Sequence, residues 1–201
     1  MTDPERGRLK AFPVLFCILF NKMLRRFRLQ LSDRRLRAAL RIIGDCRLGI
    51  GDLAASPGVA AAFFKPLRKR LAGALAAPPA SAAGSAAAAA AEDLAGRLEK
   101  FFTDLALHGM VPDQPIKNAL LCLQKACGEA PSLLSLRRRT KTLAGIHALS
   151  AAAQKELRLA RRAARSAGSD FPANLKFDTM YSGLDAVLNA FMRCAAALYE
   201  A

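Results

Sequence analysis

The chain predicts a single all-α domain, a globular bundle of about eight helices. Three observations carry this expectation. Ala, Leu and Arg dominate, and these favour helix, whereas strand-favouring residues are scarce, with two Tyr and no Trp. Apolar residues recur at three- and four-residue spacing in one stretch after another, and no stretch reads as a strand. Gly and Pro fall between these stretches, where turns are needed. With 201 residues, 53% of them apolar, the chain can bury a real core, so 1–201 is read as one domain.

The first helix is expected over 13–29, with Pro13 in its first turn and Phe16, Phe20, Met23 and Phe27 on one face. A second starts at Ser32 or Asp33, either of which can cap it, and Gly44, Gly49 and Gly51 are expected to end it. A third covers 59–75, with Phe63, Phe64, Leu67 and Leu71 inward and Pro66 distorting it. Residues 77–85, rich in Ala, Pro, Gly and Ser, read as a flexible insert. The fourth helix, 87–108, has the best apolar stripe, Leu94, Leu98, Phe101, Phe102 and Leu105, and Gly109 is placed to end it. A turn at 111–115 leads to a fifth helix over 116–127. The sixth opens at Pro131-Ser132 and runs to about Leu149, the seventh covers 151–167, and the last 174–199. No internal repeat of fixed period is present.

Catalytic signatures are missing. The chain has two histidines, His108 and His147, and no HExxH, CxxC or GxSxG. His108 reads as a partner of a helix C-terminus and His147 as a half-buried helix residue. Gly49-Ile50-Gly51-Asp52-Leu53-Ala54 matches a loose dinucleotide fingerprint, but a helical stretch precedes it where a strand is required, so the match is accidental. No catalytic residue, metal ligand or cofactor is therefore expected, and the chain reads as a binding protein rather than an enzyme. The five cysteines, Cys17, Cys46, Cys122, Cys127 and Cys194, form no disulfide or zinc framework and fit a reducing compartment.

The apolar run 11–20 is too short to span a bilayer and leads into Lys22, Arg25 and Arg26 without a cleavage site, so it reads as a core helix rather than a signal peptide. Asp185, Asn189, Arg193 and Glu200 interrupt the last helix, which argues against a tail anchor. No transmembrane segment is expected, and a cytoplasmic location fits.

Thirty-one Lys and Arg against sixteen Asp and Glu give a net charge of +15. Such a field attracts nucleic acid, an anionic membrane or an acidic protein surface. GC-rich coding would enrich Arg and Ala without any such role. Arg158, Arg161, Arg162 and Arg165 share one helix face, Arg137, Arg138, Arg139 and Lys141 cluster, and Lys65, Arg68, Lys69 and Arg70 form a third group. A solvated face and a phosphate-tracking face are both compatible with them, and no aromatic platform for bases accompanies them. A helical protein with a lipid-holding cavity is a further alternative.

The second helix carries Leu36-Arg37-Ala38-Ala39-Leu40-Arg41-Ile42-Ile43-Gly44-Asp45. Leu36, Leu40 and Ile43 form a narrow stripe, followed by a small residue and an acid. This pattern suits a helix that enters a groove and pairs its acid with an arginine. It resembles the BH3 motif of the Bcl-2 family of apoptosis regulators, Leu-x3-Leu-x2-Ile-Gly-Asp. Arg47 stands where that motif has its fourth apolar anchor, and Leu48 is one place late. The 105–110 stretch resembles the approach to the family's BH1 region, although Val111-Pro112-Asp113-Gln114 replaces its Asn-Trp-Gly-Arg turn. The resemblance implies a Bcl-2-like arrangement and a divergent regulator, as among viral members, that inhibits apoptosis or innate immune signalling, in the cytoplasm or at the mitochondrial surface. It further implies a groove for a partner's amphipathic helix, such as a BH3 segment. The candidate groove residues are Phe63, Phe64, Leu67, Leu98, Phe101, Phe102 and Leu105. Leu36, Leu40, Ile43 and Asp45 are alternatively a stretch that packs inside the fold.

Overall fold

The computed structural model describes residues 33–53, 56–76, 78–166 and 171–201. The helix expected over 13–29, and Cys17 with it, lie outside the described residues. Among the described residues the protein is all-helical. It contains α1 (Arg34–Leu53), α2 (Pro57–Leu75), α3 (Ala82–Leu107), α4 (Gln114–Glu129), a 3-10 turn (Ala130–Leu134), α5 (Arg139–Ser166) and α6 (Phe171–Glu200). That is six α-helices against an expectation of eight. Besides the helix outside the described residues, the difference is the expected break near residue 150. No Gly or Pro stands between Ile146 and Ser166, so the Ala-rich chain continues as one helix. The start expected at Pro131 is the 3-10 turn instead.

α1 does not end at its glycines. Gly49 and Gly51 are helical and lie where neighbours come close. A Cβ on Gly49 would stand 2.7 Å from the Phe63 ring, and one on Gly51 would stand 2.0 Å from Gln124. Gly49 lets the aromatic rings of α2 approach α1, whereas at Gly51 the close atom is the mobile end of Gln124. Gly109, by contrast, ends α3 as expected, in the left-handed region at φ 59°. α3 begins at Ala82, with Ser81 capping it through the Gly84 amide. Ser81 also donates to Asp33, whose carboxylate accepts from the Arg35 and Leu36 amides at the start of α1. One buried acid thus ties two helix starts together. Asp113 caps α4 by accepting from the Ile116 amide, and Tyr181 of α6 donates to its other oxygen.

The helices form a closed ring of neighbours, α1–α2–α3–α6–α5–α4, with α1 also lying against α3 and α4. Pairs of contacts fix the directions. Gly49 meets Phe63 and Asp45 meets Arg70, so α1 and α2 are antiparallel. Cys194 Sγ lies 3.9 Å from the Ala87 carbonyl, while Gly183 faces Phe101, so α3 and α6 are antiparallel as well. α5 and α6 run antiparallel through Gln154–Asn189 and Arg161–Asp178. The core is continuous across all six helices. α3 and α6 make the most extensive interface.

Asp33→Ala is expected to cost about 1–2 kcal/mol in urea unfolding, since it removes a cap and strands Ser81. Ser150→Ala should be neutral or stabilising by about 1 kcal/mol, because the buried Ser150 hydroxyl has no hydrogen-bond partner among the described residues. A loss above 1 kcal/mol for Ser150→Ala would contradict that account.

Candidate interaction groove

The residues singled out in the sequence separate into three places. Phe64, Leu67, Leu98, Phe101, Phe102 and Leu105 are buried in the core, and Phe63 is half-buried against it. Phe64 and Phe102 stack at 5.5 Å, and Phe63 and Phe101 meet them edge-on. The seven side chains fill an interface rather than line an opening. Leu36 and Ile43 of α1 also point into the core and Leu40 packs partly against it, while Gly44 faces solvent. Arg47 and Leu48 are exposed. Asp45 pairs across the helix gap with Arg70 of α2 at 3.6 Å.

The expected basic face on α5 is partly neutralised. Arg161 and Arg165 both bind Asp178 of α6, at 3.0 and 3.1 Å, and Arg158 bonds the Gln154 carbonyl. The Arg165 hydrogen bond, joined by Arg161, holds the Asp178 carboxyl below its ordinary value of 3.8 against the opposing pull of desolvation. Arg139 lies 4.8 Å over the Tyr199 ring and donates to the Tyr199 carbonyl. Arg137, Arg138 and Arg162 are exposed. In the third group, Arg68 pairs with Glu99.

An opening lies elsewhere, between α1 and α2. It is a groove of about 520 Å³ lined by Arg34, Arg37, Ala38, Arg41, Ile42 and Asp45 from α1 and by Arg70, Leu71, Gly73 and Ala74 from α2. Its cause is the small size of Ala38, Gly73 and Ala74 where two helices adjoin. A Cβ on Gly73 would meet nothing within 4 Å. The floor is apolar, and the rim carries Arg34, Arg37 and Arg41 at i, i+3 and i+7, all exposed. They make no ion pair among the described residues, in contrast to Arg35, which donates to Ser85 and to the Leu75 carbonyl. Sequence reasoning places these arginines only as the outer face of a helix. Their spacing together with Gly73-Ala74 on the next helix is the signal that marks the groove.

Among the described residues no group of three or more His, Cys, Asp or Glu could hold a metal ion. His108 caps α3, and His147 is exposed on α5, not half-buried as its sequence context implies, because it lies to one side of the buried stripe of Ile146, Ser150, Ala153 and Leu157. Gly49 and Gly51 are inside α1, so the dinucleotide-like match forms no phosphate loop. Cys46, Cys127 and Cys194 are buried free thiols on α1, α4 and α6. Burial pushes all three up, Cys194 to about 12, with the neighbouring thiols adding to the effect on Cys46 and Cys127. No helix among the described residues is long and apolar enough to cross a membrane. A second groove, of about 870 Å³ and lined by Arg138, Lys141, Thr142 and Glu129 among others, lies at the start of α5.

Native-state alkylation followed by mass spectrometry should modify the half-buried Cys122 before Cys46, Cys127 or Cys194. Acid titration offers a second check. Asp178 titrates lower folded than unfolded, so its stabilising effect is full above pH 3.8 and is lost as pH falls through the depressed value. Asp178→Asn should therefore unfold with a flatter pH dependence below pH 4 than the wild type. An unchanged acid limb would remove Asp178 from the account.

No family model, no curated protein and no solved structure matches this chain.

Proposed function

We propose that this protein is a non-enzymatic interaction regulator that holds an acidic, amphipathic helix of a partner protein in the α1–α2 groove. The observation that carries the proposal is an apolar floor beside an arginine row that makes no ion pair among the described residues. Ala38, Ile42, Leu71 and Ala74 offer contact to the apolar stripe of a helix, and Arg34, Arg37 and Arg41 offer charge to its acids. Arginine suits this role because its guanidinium grips carboxylates in a fork while its stem covers apolar surface.

Nucleic acid and anionic membrane fit the groove less well. Asp45 stands in the lining and repels phosphate, and no aromatic side chain is present to stack a base. On α5, Asp178 already occupies Arg161 and Arg165. The resemblance of Leu36-x3-Leu40-x2-Ile43-Gly44-Asp45 to a BH3 motif extends the proposal to a Bcl-2-like regulator of apoptosis or innate immune signalling, acting in the cytoplasm or at the mitochondrial surface. What supports that extension is the motif's place on one helix, with Leu36 and Ile43 inward and Asp45 paired with an arginine.

The test is fluorescence anisotropy of labelled peptides with the full chain at physiological salt. A twenty-residue amphipathic helix with acidic residues on its polar face should bind saturably, and a BH3 peptide tests the Bcl-2-like extension in parallel. Arg37→Glu with Arg41→Glu should weaken binding at least about tenfold. Gly73→Phe, which projects into open space, should block the groove without lowering Tm. Arg158→Glu with Arg162→Glu should change little. Equal binding of a scrambled peptide of the same charge, or tighter salt-sensitive binding of a DNA duplex, would overturn the proposal.

A further inference from the structure

The groove is not uniformly basic, and its asymmetry has a consequence for what it accepts. Arg34, Arg37, Arg41 and Asp45 follow one another at intervals of three, four and four residues along the wall that α1 provides. With a rise of about 1.5 Å per residue, they span about 16 Å, three turns of helix. The first three are cations with no partner among the described residues. The fourth is an anion, one-third exposed, facing Arg70 at 3.6 Å. The α2 wall accentuates the difference. Gly73 and Ala74 leave the floor open, and Gly73 has nothing within 4 Å of its Cβ position. Nearer Asp45, the same wall presents Arg70. One end of the groove therefore offers net positive charge, and the other a closed ion pair.

We infer that Asp45 is a specificity-determining residue, and that the partner helix carries three acids followed, about one turn beyond the last, by a basic residue. This rests on the proposed use of the groove. A helix lying along α1 repeats its side chains at the same pitch, so acids spaced three and four apart can each meet one of Arg34, Arg37 and Arg41. A fourth acid in that series would come against Asp45, and like charges brought together at an interface are disfavoured. A lysine or arginine there would instead share Asp45 with Arg70. Asp45 thus selects against uniformly acidic helices and against polyanions such as nucleic acid, whose charge never changes sign. The same row fixes register, because sliding the partner by one turn sets an acid against Asp45 and leaves Arg34 unmatched. The surface pair of Asp45 and Arg70 is worth little by itself, as exposed ion pairs are, so a partner's cation can enter it at small cost.

The experiment is a charge-swap cycle on the full chain, read by anisotropy at physiological salt. Two labelled amphipathic peptides share acids at positions 1, 4 and 8 and differ at position 12, Lys in one and Glu in the other, each made in both chain directions. Wild type should prefer the Lys peptide by at least about threefold. Asp45→Lys should reverse the preference, and Asp45→Asn should bring the two peptides close to parity. Circular dichroism and Tm confirm that Asp45→Lys is folded, and Arg70→Gln, which frees Asp45, should sharpen the wild-type preference. Binding of both peptides with a ratio that Asp45→Lys leaves unchanged would overturn the assignment of Asp45 while leaving the groove in place. Failure of both peptides to bind wild type would overturn the groove itself.

Discussion

The antiparallel contact of α3 with α6 is the constraint on which the remaining helices depend. Ala87, Ala88, Ala91 and Ala95 give α3 a surface that is small and smooth for more than two turns. α6 answers with Ala190, Cys194 and Ala195 among larger Leu and Phe side chains. Small residues bring the helix axes close, and close approach multiplies the weak attractions that hold packed side chains together. At the far end, α3 turns to Phe101, whose ring lies against Gly183 of α6. Arg193 of α6 bonds Asp93 of α3 across the rim, where Arg97 also binds it. Desolvation raises Asp93, but Arg193 and Arg97 outweigh it and hold the carboxyl below its usual range. Each partner of the central pair then carries a flank. α2 and α1 lie on α3, α5 lies on α6, and α4 closes the ring between α5 and α1.

This arrangement decides where charge is left over. Acids are scarce, sixteen in the chain against thirty-one Lys and Arg. The fold uses several of them structurally. Asp33 and Asp113 cap helices, Asp93 and Asp178 each hold two arginines, and Glu99 holds Arg68. The arginines of the central and C-terminal helices are in this way partly compensated. Among the described residues those at the start of α1 are not, apart from Arg35, which serves the junction between α1, α2 and α3. The uncompensated row falls beside the one helix pair whose facing residues are Ala38, Gly73 and Ala74, so charge and open space coincide.

Much of this was legible in residues. The stripe on α3 and the cap at Asp33 follow from spacing and chemistry that act within a few positions, and Gly109 ends α3 because only glycine takes its backbone angle at little cost. The glycines of α1 misled for the same reason. Read locally, Gly49 and Gly51 break a helix, but Gly49 makes room for Phe63 and Phe64 on another helix, which no local pattern contains. The apolar stripes of 63–67 and 98–105 were correctly apolar, yet periodicity is the same for a stripe that meets another helix and for one that meets a ligand. Phe64 stacked on Phe102 is the packing answer. Likewise, one face of four arginines on α5 is visible in the sequence, but Asp178, which takes two of them, is thirteen residues from the nearer one and on another helix.

By itself, the sequence determined that this protein is helical, where most helices start, and that its surface is strongly basic. These are properties of single residues and of neighbours three or four positions apart, and they hold whichever way the helices are assembled. Tertiary structure alone decided that α5 lies along α6, that the aromatic stripe is core, and that a groove opens between α1 and α2. Those outcomes depend on which side chains meet across 30 to 100 positions of chain, as Arg68 meets Glu99 and Arg193 meets Asp93. A groove exists only where two helices bring small residues together, and neither helix encodes it separately.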